Sequence, residues 1–205
     1  QHEYTDYYHK WFEPIKNEKL KILEIGVYAG ASIKMWEQYF PNSTIYGIDN
    51  GRLCNPAVMN GVKSDRVISY MADQGDREQL KNFIDEHGGD FDIIIDDGSH
   101  SQRDQQVSLG MLYPHLKSGG LYVIEDVIMP TTVMDPSAWG IEDVENGSDT
   151  TFKMMIDLIK SEKLNSSHMT KEEIEYVEKN IDRDFHNLAV RIIVKGTSCF
   201  STIKK

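Results

Sequence analysis

Residues 91–100 read FDIIIDDGSH (Phe91 to His100), and this stretch decides the fold. Its three consecutive isoleucines predict a strand that is covered on both faces, which is typical of the centre of a parallel sheet. Ligands of open α/β sheets bind outside the carboxyl ends of such strands, so Asp96, Asp97 and His100 are candidates for a functional site. Taken alone, the same residues are equally typical of a turn that leads into a helix cap.

Strand-like and helix-like segments alternate along the chain, which predicts an α/β fold with a Rossmann-like, doubly wound sheet. Two further strands near the C-terminus have little room between them, so they are expected to pair antiparallel. The predicted sheet has seven strands and is mostly parallel, with an antiparallel C-terminal strand. The predicted strands are 21–26, 45–49, 67–73, 91–97, 121–127, 181–187 and 189–195. Residues 50–64 are predicted to be irregular.

The whole chain of 205 residues is expected to form a single domain, 1–205. Residues 1–20 carry aromatic side chains at helical spacing, which predicts a helix packed on the sheet edge or, alternatively, a lid over a ligand. Residues 128–149 are the longest predicted loop and are expected to lie on the substrate side.

The net charge of −11 opposes attraction to a phosphate backbone, so no nucleic acid partner is expected. The sequence has no apolar run long enough to span a membrane and no signal-peptide pattern at its start, so no membrane partner is expected. Cys54 and Cys199 lie far apart and lack a metal-binding spacing. They favour a reducing compartment, and hence a cytoplasmic location.

The turn after the first strand reads Glu24-x-Gly26-x-x-x-Gly30, and its glycines would let a ligand approach the backbone. Asp49 ends the next strand, where a carboxylate can hold a ribose diol, and Asp73-Gln74 ends the third. These strand ends describe an adenosine-shaped site, although simple capping of the following helices is an alternative. A nicotinamide dinucleotide and S-adenosylmethionine both fit. The glycine pattern is not GxGxxG, and the acid before the turn resembles class I methyltransferases, so S-adenosylmethionine is favoured.

A second candidate site consists of Asp97, His100, Glu125 and Asp126, which follow the fourth and fifth predicted strands. Carboxylates that are brought together repel one another and favour a bound cation. Oxygen ligands suit a hard ion such as Mg²⁺, and a hydroxyl bound to the ion would be acidic enough for His100 to deprotonate. The alternative is that Glu125-Asp126 begins a loop and binds nothing.

Several segments resemble the metal-dependent sugar O-methyltransferases of macrolide and polysaccharide biosynthesis, which are class I enzymes of the mycinamicin and macrocin type. These segments are ILEIGVYAGASIKMWEQYFP, YGID, ADQGD, FDIIIDDGSH and LKSGGLYVIED. The resemblance covers about residues 20–127 well and the last strands loosely. Asp104-Gln105 stands where family members often have His-Gln, which leaves the acceptor open.

The resemblance implies an S-adenosylmethionine-dependent, Mg²⁺-dependent enzyme that methylates a hydroxyl of a sugar or small-molecule glycoside, and a homo-oligomer. It implies Asp97, Glu125 and Asp126 as metal ligands, with His100 as the general base beside Asp97. The implied cofactor-binding residues are Glu24, Gly26, Tyr28, Gly30, Ser32, Asp49, Asp73, Gln74 and Asp96. Two alternatives stay open: an NAD(P)-dependent Rossmann oxidoreductase, and a catalytically idle module that binds S-adenosylmethionine.

Overall fold

The computed structural model describes residues 5–127, 150–182, 186–193 and 196–205. The helices are α1 Thr5–Phe12, α2 Ala31–Tyr39, α3 Pro56–Gly61, α4 Arg77–His87, α5 Gln102–Leu112, α6 Thr151–Ser161 and α7 Lys171–Asn180. The strands are β1 Lys21–Ile25, β2 Thr44–Asp49, β3 Val67–Met71, β4 Phe91–Asp96, β5 Leu116–Ile124, β6 His186–Ile193 and β7 Gly196–Lys204. Within these ranges no helix is both long and apolar enough to cross a membrane.

The strands form one sheet in the order β3-β2-β1-β4-β5-β7-β6. The pairs among β1 to β5 are parallel, and β7 runs antiparallel to both of its neighbours. The predicted Rossmann-like, mostly parallel sheet with an antiparallel C-terminal strand is therefore confirmed. The strand order reverses between β1 and β4, and such a switch point is where open α/β sheets form their binding crevice.

The central strand β4 is buried on both faces, as its run of isoleucines predicted. Ile94 belongs to an apolar cluster with side chains of α4, α5, α6 and α7, whereas Ile93 and Ile95 belong to a second cluster with side chains of α1, α2 and α3. All three isoleucines are fully buried. Two helical layers thus enclose the sheet, and its carboxyl edge is the place where polar residues can gather.

Helix α1 packs on the second of these clusters through Tyr8 and Phe12, which are both buried. A helix is therefore present in part of the predicted segment and packs on this cluster, and its role as a lid stays a prediction. Pro14 lies in a short 3-10 turn, Glu13–Ile15, that ends the helix. The predicted loop at 128–149 lies outside the described residues.

Three predicted boundaries are wrong. Residues 50–64 contain the helix α3, which begins with the Asn55 side chain accepting a hydrogen bond from the Ala57 amide and with Pro56 in the first turn. The fifth strand starts at Leu116 rather than 121, with Gly119 inside it at a positive φ of 83°. The last two strands pair antiparallel as predicted, but they begin later, because residues 188–193 contain no glycine, proline or asparagine to end a strand.

Gly26 joins the turn after β1 to the segment after β4. Its φ is +93°, and a Cβ atom there would lie 2.1 Å from the backbone oxygen of Asp97. The Gly26 amide also donates a hydrogen bond to the carbonyl of Ile48, over 2.8 Å. Only glycine allows these two backbone segments to approach so closely.

We therefore expect Gly26→Ala to destabilise the protein by about 3 kcal/mol, from the unfavourable φ and the clash with backbone. Gly61→Ala is the control, because a Cβ at Gly61 meets nothing within 4 Å and its φ is not positive. Urea unfolding measures both. Equal stability of the two variants would show that the close approach at Gly26 carries no cost.

Candidate active site

Backbone pairing continues past the strands at the switch point and fixes the neighbours there. The Asp97 amide donates to the carbonyl of Ile25 over 3.0 Å, and the Glu125 amide donates to the carbonyl of Asp96 over 2.8 Å. The ends of β1, β4 and β5 are therefore level with one another. Three of the four residues predicted as the reactive half, Asp97, His100 and Asp126, come together at this edge of the sheet, and Glu125 lies outside that group.

Three side chains at this edge have the geometry of a cation site. Asp97, His100 and Asp126 each offer one ligand atom, and these atoms all lie within 4.8 Å of one another. His100 Nε2 is 3.8 Å from Asp97 Oδ1. His100 and Asp126 both have positive φ angles, 57° and 52°, which residues other than glycine rarely adopt. Backbone strain of this kind collects at functional sites, where the fold holds a side chain in a required position.

Glu125 lies next to this group in a different environment. Its Oε1 accepts a hydrogen bond from the Tyr8 hydroxyl, and its backbone carbonyl accepts one from Gln105 Nε2 over 2.9 Å. Burial raises the pKa of Glu125 to about 8, the Tyr8 hydrogen bond opposes this rise, and the charge of Asp126 adds to it. Glu125 therefore favours its neutral form when no positive charge is near.

Asp97 is subject to the same repulsion. Burial raises its pKa well above the usual range for a carboxyl, and the negative charges of Glu125 and Glu24 raise it further. A divalent cation among these groups would reverse the effect, because it favours the ionised carboxylates. Carboxylate oxygens are also the ligands that hard ions such as Mg²⁺ prefer. The residues present fit a divalent cation.

The glycine turn between β1 and α2 is held by Asp49, one of the predicted cofactor residues. Asp49 Oδ2 accepts hydrogen bonds from the Val27 amide (2.9 Å) and the Tyr28 amide (3.0 Å), and Oδ1 accepts one from the Gly51 amide (2.8 Å). Tyr28 is 66% exposed and has a positive φ of 46°. Asp49 thus shapes the turn in addition to closing its own strand.

Gly30 begins α2 in the left-handed conformation, with a φ of 76°. A glycine in that position supplies no side-chain cap for the first amides of the helix. A Cβ there would also lie only 2.4 Å from Val62 Cγ1. Gly30 is therefore required by its positive φ and by its close packing on Val62.

Glu24 is almost fully buried under the same turn. Its Oε2 accepts a hydrogen bond from Ser32 Oγ and its Oε1 accepts one from Trp36 Nε1, each over 2.9 Å. Burial raises the pKa of Glu24 to about 7, although both hydrogen bonds oppose the rise. Two predicted cofactor residues, Glu24 and Ser32, are thus bonded to each other.

Gln74 and Asp96 form a second buried pair. Gln74 Nε2 donates to the two Asp96 carboxylate oxygens over 3.0 and 3.1 Å, and Gln74 Oε1 accepts from the Ser99 amide over 2.7 Å. The Ser108 hydroxyl also donates to Asp96. Burial raises the pKa of Asp96 to about 6 against these hydrogen bonds. The pair ties the end of β3 to the segment that carries Asp97 and His100.

Asp73 faces outward, unlike these buried acids. Its Oδ1 accepts a hydrogen bond from the Gly75 amide over 2.8 Å and its Oδ2 accepts one from Asn50 Nδ2 over 3.3 Å. An open depression lies here, lined by Asp73, Gly75, Asp76, Arg77 and Arg103. Asp73 is therefore accessible from the carboxyl edge, next to Asp49 in the strand order.

Sequence reasoning missed three residues that shape this site: Tyr8, Gln105 and Ser108. Tyr8 appeared only as one member of an aromatic stripe, with nothing to indicate its carboxylate partner. Gln105 and Ser108 lie on α5 and are fully buried. Polar side chains on the helix face that also carries Leu112 are a usable signal, because buried polar groups require partners.

Comparisons with known proteins give the family. A family model described as "Methyltransferase domain" matches residues 23–127. Mycinamicin VI 2''-O-methyltransferase from Micromonospora griseorubida is 34% identical over 92% of this chain and 47% of its own length. L-olivosyl-oleandolide 3-O-methyltransferase from Streptomyces antibioticus is 35% identical over 61% of this chain and 32% of its own length.

The solved structures agree with this family. The MycE methyltransferase from the mycinamycin biosynthetic pathway, in complex with Mg, SAH and mycinamycin VI, has a TM-score of 0.70 and 28% identity. The match covers 98% of this chain and 49% of that one. The fold and site are those of a Rossmann-like domain with an acidic rim, and the chain belongs to the methyltransferase domain family. It spans less than half the length of the relatives named here.

The buried Glu24 gives a pH-dependent prediction. Its folded-state pKa of about 7 exceeds the ordinary value of 4.5, so the wild-type protein loses stability as pH rises between these values. Because Glu24→Gln removes this ionisation, the variant should gain up to about 3 kcal/mol relative to wild type across that window. Urea unfolding at several pH values in EDTA measures the difference. Glu86→Gln is the control, because Glu86 is exposed. If the stability difference between Glu24→Gln and wild type did not change with pH, the raised pKa of Glu24 would be contradicted.

Proposed function

We propose that this chain is the catalytic domain of an S-adenosylmethionine-dependent, Mg²⁺-dependent O-methyltransferase that acts on a sugar hydroxyl of a small-molecule glycoside. The observation that carries the proposal is the group formed by Asp97, His100 and Asp126 beside the glycine turn at the switch point. The close approach of Gly26 to Asp97 links the two halves of the site. Membership in the methyltransferase family supports a methyl-transfer reaction over the nicotinamide alternative.

Asp97, Glu125 and Asp126 are the proposed metal ligands. They are carboxylates on adjacent segments, and the raised pKa values of Asp97 and Glu125 indicate that their ionised forms need a positive charge nearby. When bound, Mg²⁺ would lower the pKa of a hydroxyl of the acceptor. The three acids would hold the ion at this edge of the sheet, and an ion there would bring the acceptor oxygen close to the methyl donor.

His100 is the proposed general base. Its ring lies beside Asp97, with 3.8 Å between Nε2 and Oδ1, and Asp97 can orient it. A hard ion prefers oxygen over imidazole nitrogen, which supports a role for His100 in taking the proton from the acceptor hydroxyl. The ordinary pKa of histidine suits proton transfer near neutral pH.

The cofactor half is proposed to lie along the ends of β1, β2 and β3. S-Adenosylmethionine supplies an activated methyl group when it is bound. Gly26, Tyr28 and Gly30, which all have positive φ angles, are proposed to shape the turn beside the cofactor. Asp49 ends β2 and Asp73 follows β3, and their carboxylates are proposed to hold the ribose and the adenine. Glu24, Ser32, Gln74 and Asp96 are proposed to support this surface through their mutual hydrogen bonds.

The acceptor class rests on the relatives, two of which are named for methylation of glycosylated macrolides or related glycosides. Because the chain spans less than half of those proteins, the acceptor and the methylated position are proposals for this domain. A homo-oligomer and a cytoplasmic location are further proposals, and analytical ultracentrifugation tests the first of them.

Asp97→Ala should weaken Mg²⁺ binding by more than about tenfold, because it removes a ligand, and should leave the affinity for S-adenosylhomocysteine unchanged. Isothermal titration calorimetry measures both affinities. Asp85→Ala is the control, since Asp85 is exposed on α4 and pairs only with Lys81 among the described contacts. Wild-type protein that binds neither Mg²⁺ nor S-adenosylhomocysteine would overturn the proposed function.

His100→Ala separates the two roles that the geometry allows for this residue. As a general base, its loss should reduce turnover of a glycoside acceptor by about 10²- to 10⁴-fold and leave Mg²⁺ affinity intact. Turnover at several pH values and calorimetry with Mg²⁺ provide the two readouts. A large loss of Mg²⁺ affinity would instead identify His100 as a ligand.

A further inference from the structure

Tyr8 connects the N-terminal helix to the acidic rim, by which we mean Asp97, Glu125 and Asp126. Its hydroxyl donates a hydrogen bond to Glu125 Oε1, a contact between residues 117 positions apart in the chain. Tyr8 is only 9% exposed, so its hydroxyl needs a partner inside the protein. The partner that the fold supplies is a carboxylate at the rim, on the segment that also carries Asp126.

Aromatic packing fixes the direction of this hydroxyl. The Tyr8 ring stacks on Phe12 with 5.1 Å between centroids and meets Trp36 edge-on at 5.3 Å. The Trp36 indole in turn donates to Glu24 over 2.9 Å. The ring has little freedom to turn, so the hydroxyl is aimed at Glu125 before any ligand arrives.

Glu125 is held at two separate points. Tyr8 bonds its Oε1, and Gln105 Nε2 donates to its backbone carbonyl over 2.9 Å. A carboxylate accepts at both of its oxygens, so a hydrogen bond to one of them leaves the second for a cation. Hydrogen bonds to ligating carboxylates orient them and tune the affinity for the metal.

We infer that Tyr8 is a positioning residue that orients the Glu125 carboxylate for a divalent cation, so that α1 forms part of the metal-binding site. This inference rests on the proposed function, because it takes Glu125 as a metal ligand. The competing view is that the hydrogen bond only fastens α1 to the domain. The two differ in what the loss of one hydroxyl does to metal affinity.

Tyr8→Phe keeps the ring and its packing and removes only the hydroxyl. We expect it to weaken Mn²⁺ and Mg²⁺ binding to the whole chain about tenfold. Calorimetry with Mg²⁺ and electron paramagnetic resonance with Mn²⁺ measure the affinities with no acceptor present. Thermal unfolding in EDTA reports any change in stability separately.

Tyr39→Phe is the matched control. The Tyr39 hydroxyl also donates to a carboxylate, Glu13 Oε2, over 3.0 Å, and its ring meets Trp36 and Phe40 in the same aromatic cluster. Glu13 is not one of the rim acids, so Tyr39→Phe should leave metal affinity unchanged. Equal metal affinities for wild type, Tyr8→Phe and Tyr39→Phe would overturn the inference.

A double-mutant cycle tests whether Tyr8 acts through Glu125. In a Glu125→Ala background, adding Tyr8→Phe should cause no further loss of metal affinity. A tenfold loss that persists in that background would overturn the inference, because Tyr8 would then act through another group. Wild-type protein that binds S-adenosylhomocysteine but no divalent ion would refute the metal centre itself, and this inference with it.

Discussion

Carboxylates crowd the carboxyl edge of the sheet, and their repulsion in a poorly solvated setting is the constraint on which the site depends. Burial alone disfavours an ionised carboxyl, and each neighbouring negative charge adds to the effect. Burial raises the pKa values of Glu24, Asp96, Asp97 and Glu125, and the charges of nearby carboxylates raise those of Asp97 and Glu125 further. The surroundings of these carboxyl groups differ in two ways.

Glu24 and Asp96 are satisfied by neutral hydrogen-bond donors. Ser32 and Trp36 bond the first, and Gln74 and Ser108 bond the second. These acids stay in the protein interior and connect elements that must keep their spacing. Asp97 and Asp126 differ because they lie within 4.8 Å of one another and of His100, where a cation is the simplest source of compensating charge. Some of these carboxylates thus accept hydrogen bonds inside the protein, whereas others lie where a cation could offset their charge.

The sequence predicted the parts of this arrangement that follow from local patterns. The isoleucines of β4 indicated a strand buried on both faces, and the acids after β4 and β5 were expected to meet because parallel strands end at the same edge. The sequence did not reveal the bond between Tyr8 and Glu125, since no local pattern relates residues 117 positions apart. It also did not reveal that Gln74 bonds Asp96, because β2 and β1 lie between β3 and β4 in the sheet.

Backbone contacts join the glycine turn to the segment that carries Asp97 and His100. The Asp97 amide donates to the carbonyl of Ile25, and the absence of a side chain at Gly26 lets the turn lie against the Asp97 carbonyl. Movement of the glycine turn would therefore displace the segment that carries Asp97 and His100. In the proposed reaction the separation of two bound groups matters, and a backbone link of this kind would hold that separation. Phe12 and Trp36 likewise hold the ring of Tyr8 on α1, and the Tyr8 hydroxyl bonds Glu125.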